Sequence, residues 1–201
     1  MTSKQSRREF LKSVGASTAA LAFPTTALAA GAARYTQEKA QHATTQPRKF
    51  APPLGVCTKL SNAPLLKSNG VDYLEAGVRS LLVPDKSDEE FAKQREAAQA
   101  CPLPIRSANG FLPGSLKCTG PNADHDAVLQ FAEVAFRRAK EIGLKTIVFG
   151  SSGARTPPEG FDLARAEEQF IALLRRMGPL AAPHGVTVCV EPLQKSETFF
   201  I

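Results

Sequence analysis

From Leu54 onward, short apolar runs alternate with longer amphipathic segments, and this alternation constrains the fold more than any other feature. It is typical of α/β proteins in which crossover helices join the strands of a parallel sheet. We predict five strands, at Leu54–Thr58, Tyr73–Ala76, Ile105–Ala108, Thr146–Gly150 and Thr187–Val190. A complete eight-stranded α/β barrel typically needs about 250 residues, so five strands indicate an incomplete barrel. An open doubly wound sheet is the alternative, but it normally carries a glycine-rich turn after its first strand, which Thr58–Ser61 lacks.

The segments between the strands carry helix signals. Ser87 and Glu90 have the spacing of a capping box, in which the two side chains satisfy each other's free backbone N–H groups, and we predict a helix from there through Ala100. Two further helices are predicted from apolar stripes with helical spacing. The first stripe contains Val128, Phe131, Ala132, Ala135, Phe136, Ala139 and Ile142 and is followed by Gly143; the second contains Phe170, Leu173, Leu174 and Met177. We expect both stripes to belong to the core.

Residues 1–29 have the order of parts found in an export signal. Paired arginines in Ser6–Lys12 precede a weakly apolar stretch, Val14–Phe23, and Ala27–Ala29 offers a small-residue cleavage site. The pattern predicts a twin-arginine signal peptide, with the twin-arginine export machinery as a partner and the periplasm as the location. The apolar stretch is too short to span a bilayer, so no stable membrane anchor is expected. A basic amphipathic N-terminal helix is the alternative.

The charge of the chain is concentrated at its N-terminus. Half of the formal net charge of +6 lies in the predicted signal peptide. Residues 30–53 are polar and rich in Ala, Thr and Gln, which predicts a flexible linker before a domain at residues 54–201. No basic run with interleaved aromatic residues is present, so the sequence does not support nucleic-acid binding.

The four cysteines and three histidines show no metal-binding spacing. The cysteines form no Cys-x-x-Cys pair, and the histidines are scattered along the chain, so a zinc-binding knot is not indicated. Cys57 and Cys189 fall in apolar strand patterns, where a buried, reduced thiol is expected. We expect the histidines to be surface residues.

A carboxylate follows the last predicted strand directly. In Thr187–Leu193, four apolar or β-branched residues run into Glu191 and a proline, and Glu197 comes shortly afterwards. Carboxylates are rarely buried unless they are paired or bound to metal, and the active sites of α/β barrels lie at the C-terminal ends of the strands. Glu191 is therefore a candidate active-site acid. A strand-end charge that turns into solvent is the alternative.

Several segments together resemble one known family. They are Gly70–Glu75, Asn109–Pro113, Gly143–Ser151, and Val190–Leu193 with Glu197. In this order and spacing they are similar to the sugar phosphate isomerase/epimerase family, which has a xylose-isomerase-like (β/α)8 TIM barrel and includes the ketose 3-epimerases. The resemblance extends from Leu54 to Ile201 and implies an incomplete barrel, with about five of the eight βα units.

The resemblance implies a metal-dependent isomerase or epimerase that acts on a keto-sugar through an enediolate. In the family, a divalent metal is held by Glu, Asp, His and Glu from successive late strands, and Glu191 matches the first ligand. Manganese is the expected metal, with magnesium, cobalt or zinc as alternatives. By the same resemblance, Glu191 is one of two glutamates that move a proton at the carbon beside the carbonyl.

The resemblance and the strand ends also suggest residues that contact a small sugar substrate. Glu197 matches a family position near the metal, and Glu75 lies at the end of the second predicted strand, one residue before its last. Asn109 and Ser151 offer hydrogen bonds to sugar hydroxyls, and Arg155 follows a glycine-containing turn that suits a phosphate. The alternatives are a plain loop carboxylate for Glu197, a structural ion pair for Glu75, and a surface ion pair for Arg155.

The other three metal ligands implied by the resemblance match no residue before Ile201. We therefore expect the chain as written to be truncated and inactive. A non-catalytic carbohydrate-binding remnant, or the product of a degenerate gene, is the alternative. A zinc endonuclease of abasic DNA is a further alternative on the same barrel, but it requires histidines at early strand ends, where this sequence has none. The sugar, the choice between isomerase, epimerase and lyase, and the oligomeric state stay open.

Overall fold

The computed structural model describes residues 52–200. The predicted signal peptide (1–29) and almost all of the predicted linker (30–53) lie outside these residues and remain predictions. Within residues 52–200, five strands form one sheet in sequence order, and all neighbouring strands are parallel. They are β1 (Gly55–Cys57), β2 (Tyr73–Gly77), β3 (Ile105–Asn109), β4 (Thr146–Phe149) and β5 (Thr187–Val190). All five strand predictions are confirmed, and the sheet is that of an incomplete α/β barrel.

Helices connect the successive strands. They are α1 (Ala63–Ser68), α2 (Val78–Leu81), α3 (Asp88–Gln99), α4 (His125–Glu141), α5 (Ser152–Arg155) and α6 (Leu163–Ala181), with 3-10 turns at Leu60–Asn62 and Ala182–His184. None of the helices in residues 52–200 is both long and apolar enough to cross a bilayer.

The ends of the long helices confirm the sequence signals. The backbone N–H of Glu90 donates to Ser87 Oγ (3.3 Å), and the backbone N–H of Ser87 donates to Glu90 Oε2 (3.4 Å), which completes the capping box of α3. Gly143, just after α4, has a left-handed backbone (φ 73°), as a glycine in the C-terminal cap of a helix commonly does. Local sequence therefore determines where these helices begin and end.

The core lies between the sheet and helices α4 and α6. Both predicted apolar stripes are in it, with Phe131, Ile142 and Leu174 only partly buried at its edge. A row of five aromatic rings runs through the centre, in the spatial order Phe136, Phe111, Phe149, Phe170 and Phe200. Each ring contacts the next, at centroid distances of 5.7, 5.5, 5.5 and 6.3 Å. The last three of these pairs are edge-to-face, an arrangement that stabilises a core beyond simple area burial.

The opposite face of the sheet, here called the inner face, carries a different set of side chains. Since side chains alternate along a strand, β4 directs Ile147 and Phe149 into the helical core and Val148 to the inner face, where it pairs with Cys189. On the same inner face, Cys57 of β1 pairs with Glu75 of β2. Both cysteines are exposed. The prediction that Cys57 and Cys189 are buried was wrong, because an apolar run does not reveal which face of the strand each residue takes.

Cys118, in contrast, is fully buried. Burial raises the pKa of its thiol to about 12, so the reactive thiolate is almost absent at pH 8. We expect iodoacetamide at pH 8 to modify Cys57 and Cys189 in the folded protein and to leave Cys118 unmodified until urea is added. Peptide mass spectrometry measures the three rates. Modification of Cys118 as fast as that of Cys57 would contradict this burial.

Candidate active site at the C-terminal ends of the strands

The C-terminal ends of the parallel strands meet at one edge of the sheet, here called the mouth. β2, β3, β4 and β5 deliver Gly77, Asn109, Phe149 and Val190 to this edge. Most of the candidate side chains predicted from the sequence lie at the mouth or in the loops that follow it. The active sites of α/β-barrel enzymes lie at this end of the strands.

A polar cluster joins the first three strands on the inner face. Asn109 Nδ2 donates to Glu75 Oε1 (3.1 Å) and to Cys57 Sγ (3.1 Å), and Ser107 Oγ donates to Glu75 Oε2 (2.6 Å). Both carboxylate oxygens of Glu75 thus accept a hydrogen bond from a neutral side chain. The structure brings together Glu75 and Asn109, two of the predicted site residues, and Glu75 forms no ion pair with any of the described residues.

Sequence reasoning missed Ser107 as a member of this cluster. The signal was present, because Ser107 is two residues before Asn109 in β3 and therefore shares its face. Glu75 is likewise opposite Ser107 in the pairing of β2 with β3. A register between strands, which the sequence does not give, was needed to see the contact.

Glu191 lies immediately after β5 and is exposed at the mouth. Its backbone N–H donates to the carbonyl of Phe149 (3.2 Å), which extends the pairing of β4 with β5 by one residue. Its carboxylate lies against the backbone of Gly150: a Cβ atom on that glycine would be 2.3 Å from Glu191 Oε2. Gly150 is therefore part of the site, whereas sequence reasoning placed it at the end of a strand and in the turn before Arg155 and did not count it among the site residues.

Glu197 and Ser151 make local contacts in the structure. Glu197 is exposed, and its Oε2 accepts from the backbone N–H of Gln194 (3.4 Å) in its own turn. Ser151 Oγ accepts from the backbone N–H of Leu112 (2.9 Å), which ties the loop after β3 to the end of β4. Their assignment as sugar-binding residues stays a prediction.

Arg155 requires a correction. Its side chain is fully buried, and Nη1 donates to the carbonyls of Phe149 (2.9 Å), Gly150 (3.0 Å) and Glu191 (2.8 Å). The guanidinium also lies 5.1 Å from the ring centre of Phe170. Burial lowers the pKa of Arg155 below its usual value, with Cys118 and Glu191 acting in the opposite direction. Both sequence interpretations, a phosphate contact and a surface ion pair, were wrong, because the turn after β4 directs the side chain inward.

The described residues do not by themselves fit a divalent metal. Residues 52–200 contain no group of three or more His, Cys, Asp or Glu side chains that could hold an ion. Glu191 provides one exposed carboxylate of the kind that such ions bind. One ligand does not make a metal site.

An open cleft of about 610 Å³ lies at the mouth beside the polar cluster. It is formed by the ends of β1 and β2 and the turns after them, and its lining is Cys57, Thr58, Lys59, Ser61, Asn62, Gly77 and Ser80. The volume is in the range of small-molecule sites. Hydroxyl, amide and ammonium groups in this lining suit a ligand with many hydroxyls.

Known structures share this architecture. The chain is similar to the apo form of 3-keto-D-glucoside 4-epimerase YcjR from E. coli (TM-score 0.52, 22% identity, 72% of this chain and 57% of that one). It is also similar to D-psicose 3-epimerase from Clostridium cellulolyticum H10 (TM-score 0.61, 16% identity, 75% and 55%). A third similar structure is mannonate dehydratase from Streptococcus suis serotype 2 (TM-score 0.52, 11% identity, 69% and 51%). At these identities the likeness concerns the fold.

The chain spans little more than half the length of these three proteins. No curated protein matches it in sequence. The family model of the xylose isomerase-like TIM barrel matches residues 64–201, which is well over half of the chain. The five parallel strands, the helices between them and this match agree, and the chain belongs to the xylose isomerase-like TIM barrel family.

Proposed function

We propose that the chain provides the first part of the active site of a keto-sugar isomerase or epimerase that transfers a proton at the carbon beside the carbonyl. The observation that carries the proposal is the position of Glu191. It is an exposed carboxylate at the end of a barrel strand, and both its backbone and its side chain contact the end of β4. A carboxylate held in this way is suited to act as a general base.

The residues present suggest how a sugar is held while the proton moves. The carboxylate of Glu75 is kept in place by Ser107 and Asn109, and a fixed carboxylate can accept further hydrogen bonds from sugar hydroxyls. The cleft beside it has room for a small ligand. In this proposal the Glu75 cluster orients the sugar, and Glu191 removes a proton from the carbon beside the carbonyl to form the enediolate. In an epimerase a second acid on the opposite face would return a proton to the same carbon, whereas in an isomerase Glu191 itself would return the proton to the neighbouring carbon.

A divalent metal, manganese first, belongs to the proposal as well. When bound, such an ion would stabilise the negative charge that develops on the carbonyl oxygen. Within residues 52–200, Glu191 is the one carboxylate that matches a ligand of the family, so the remaining ligands would have to come from other residues.

The substrate class follows from the neighbours' names and is part of the proposal. Two of them are named as epimerases of a keto-glucoside and of a ketose, and the third as a dehydratase of a sugar acid. An epimerase or isomerase is favoured, and a lyase on the same fold is the second candidate.

Export to the periplasm by the twin-arginine pathway is also proposed, on the basis of residues 1–29.

The test uses the full-length gene product in D₂O with added manganese. D-fructose, D-psicose and D-tagatose, the sugars named for the psicose epimerase structures, serve as first substrates. We expect NMR to show a new ketose or aldose with deuterium at the carbon beside the carbonyl, because an enediolate exchanges its proton with solvent. Conversion without deuterium would contradict a base that exchanges its proton with solvent, because a hydride shift or a shielded proton keeps the original hydrogen; loss of water from a sugar acid would favour the lyase.

A second measurement separates the enzyme from its alternative. Sequencing the source DNA past the codon for Ile201 determines whether strands with the further Asp, His and Glu ligands are encoded. If they are not, and if sugars raise the melting temperature without being converted, the carbohydrate-binding remnant is favoured and the catalytic proposal is withdrawn.

A further inference from the structure

The chain turns back on itself directly after β4. Ser151 has a left-handed backbone (φ 44°, ψ 52°), which is uncommon in residues other than glycine. Its carbonyl accepts hydrogen bonds from the backbone N–H groups of Ala154 (2.9 Å) and Arg155 (3.1 Å). This turn brings the side chain of Arg155 back to the C-terminal end of β4.

The Arg155 guanidinium then joins the ends of two neighbouring strands. Of the carbonyls that accept from it, Phe149 ends β4, Gly150 follows β4, and Glu191 follows β5. The last backbone hydrogen bond between these strands also ends at Glu191. Hydrogen bonds from a charged donor are stronger than neutral ones, so Arg155 secures the pair of strands at the point where the sheet stops.

Gly150 holds the side chain of the same glutamate. The position that a Cβ atom would take on Gly150 is occupied by the Glu191 carboxylate, 2.3 Å from Oε2. Gly150 has a backbone conformation open to other residues, since it is not among the residues with a positive φ. The glycine is therefore required for the space that it leaves to Glu191.

We propose that Arg155 is a positioning residue for Glu191: it fixes the backbone of the glutamate, while Gly150 leaves room for the carboxylate. The inference rests on the proposed function of Glu191. Arg155 is fully buried, so it acts through the glutamate and not on the substrate. A catalytic group misplaced by about 1 Å can lose about 10²-fold in rate.

The first arm of the test measures activity in the full-length gene product. Arg155→Lys keeps the charge but loses the planar group that bridges several carbonyls, and Gly150→Ala places a methyl group where the carboxylate lies. We expect kcat to fall by at least about tenfold in each variant while KM changes by less than about twofold. Gly153→Ala is the matched control, because its Cβ would meet its nearest neighbour at 3.4 Å; we expect it to keep kcat.

A double-mutant cycle distinguishes positioning from a general structural role. If Arg155 acts through Glu191, then Arg155→Lys causes no further loss in the presence of Glu191→Gln. Losses that multiply would overturn the proposal. If Arg155→Lys fails to fold, Gly150→Ala still decides whether the orientation of Glu191 matters, and an unchanged kcat in that variant would overturn it.

The second arm does not depend on activity, and so it separates this inference from the proposed function. The backbone N–H of Glu191 bonds to Phe149 at one end of the β4–β5 pair, and that of Thr187 bonds to Lys145 (2.8 Å) at the other end. In Arg155→Lys, we expect hydrogen exchange at Glu191 to become at least about tenfold faster and exchange at Thr187 to stay within about threefold. Equal acceleration at both ends would show a loss of overall stability only. If the wild-type protein is inactive and Arg155→Lys accelerates exchange only at Glu191, the proposed function is rejected, whereas the inference that Arg155 fixes the backbone of Glu191 is retained.

Discussion

Replacing Glu191 by glutamine lowers kcat of the full-length gene product by about 10²–10⁴-fold, the range that general acid–base catalysis contributes. Glutamine has nearly the same shape as glutamate, so it can occupy the space beside Gly150, but its amide does not take up a proton. The rate of deuterium incorporation into the ketose falls with kcat, because both require the same proton transfer. Steady-state kinetics and NMR in D₂O measure the two rates.

Glu168→Gln provides the matched control for this substitution. Glu168 is an exposed residue of α6, and the same exchange of carboxylate for amide there leaves kcat unchanged. Circular dichroism and the urea midpoint establish that both variants are folded. A Glu191→Gln protein that retains more than about one tenth of wild-type kcat contradicts the assignment of Glu191 as the base.

Replacing Arg138 by methionine lowers the free energy of unfolding by about 3–5 kcal/mol, because buried carbonyls then lose their donors at about 1–3 kcal/mol each. Arg138 is 2% exposed. Its guanidinium donates to the carbonyls of Leu82 (2.9 Å), Val83 and Lys86 (2.8 Å) and to Asp88 Oδ1 (2.8 Å).

The turn that Arg138 holds is itself strained. Val83 has a φ of 39°, a left-handed conformation that is a genuine outlier for a β-branched residue. Such strain costs about 1–3 kcal/mol and persists only where surrounding contacts enforce it. Arg138 supplies such a contact from α4, so its removal also frees the turn that leads into α3.

Arg137→Met is the control, because Arg137 is a neighbour on α4 that shares the carboxylate of Asp88 (2.9 Å) but is largely exposed. An exposed ion pair contributes only about 0–1 kcal/mol, so this variant loses less than about 1 kcal/mol. Urea unfolding followed by circular dichroism gives both values. Equal losses for the two variants would show that the ion pair with Asp88, and not the buried carbonyls, stabilises the turn.

Much of the fold could be predicted from the sequence. Hydrophobic periodicity identified each strand of the sheet, and the capping box at Ser87 and Glu90 and the glycine at Gly143 located helix ends. These signals are local: each depends on residues within a few positions of one another. The twin-arginine signal is equally local, and it stays a prediction because it lies outside residues 52–200.

The candidate site was only partly predictable. Glu191, Glu75 and Asn109 were found because each lies at or near the C-terminal end of a strand, and the ends of parallel strands share one edge of a sheet. Ser107 and Gly150 were missed, since their importance depends on which residue of a neighbouring strand lies beside them. Arg155 was misinterpreted because its direction depends on the turn at Ser151.

The sequence by itself therefore determined the elements, their order and the acid at the end of β5, because these follow from periodicity and from chain direction. The tertiary structure alone decided which face Cys57 and Cys189 take, which donors hold Glu75, and that Arg155 bonds to Glu191. The physical reason is that these contacts depend on strand register and on burial, and both arise only when segments distant in sequence pack together.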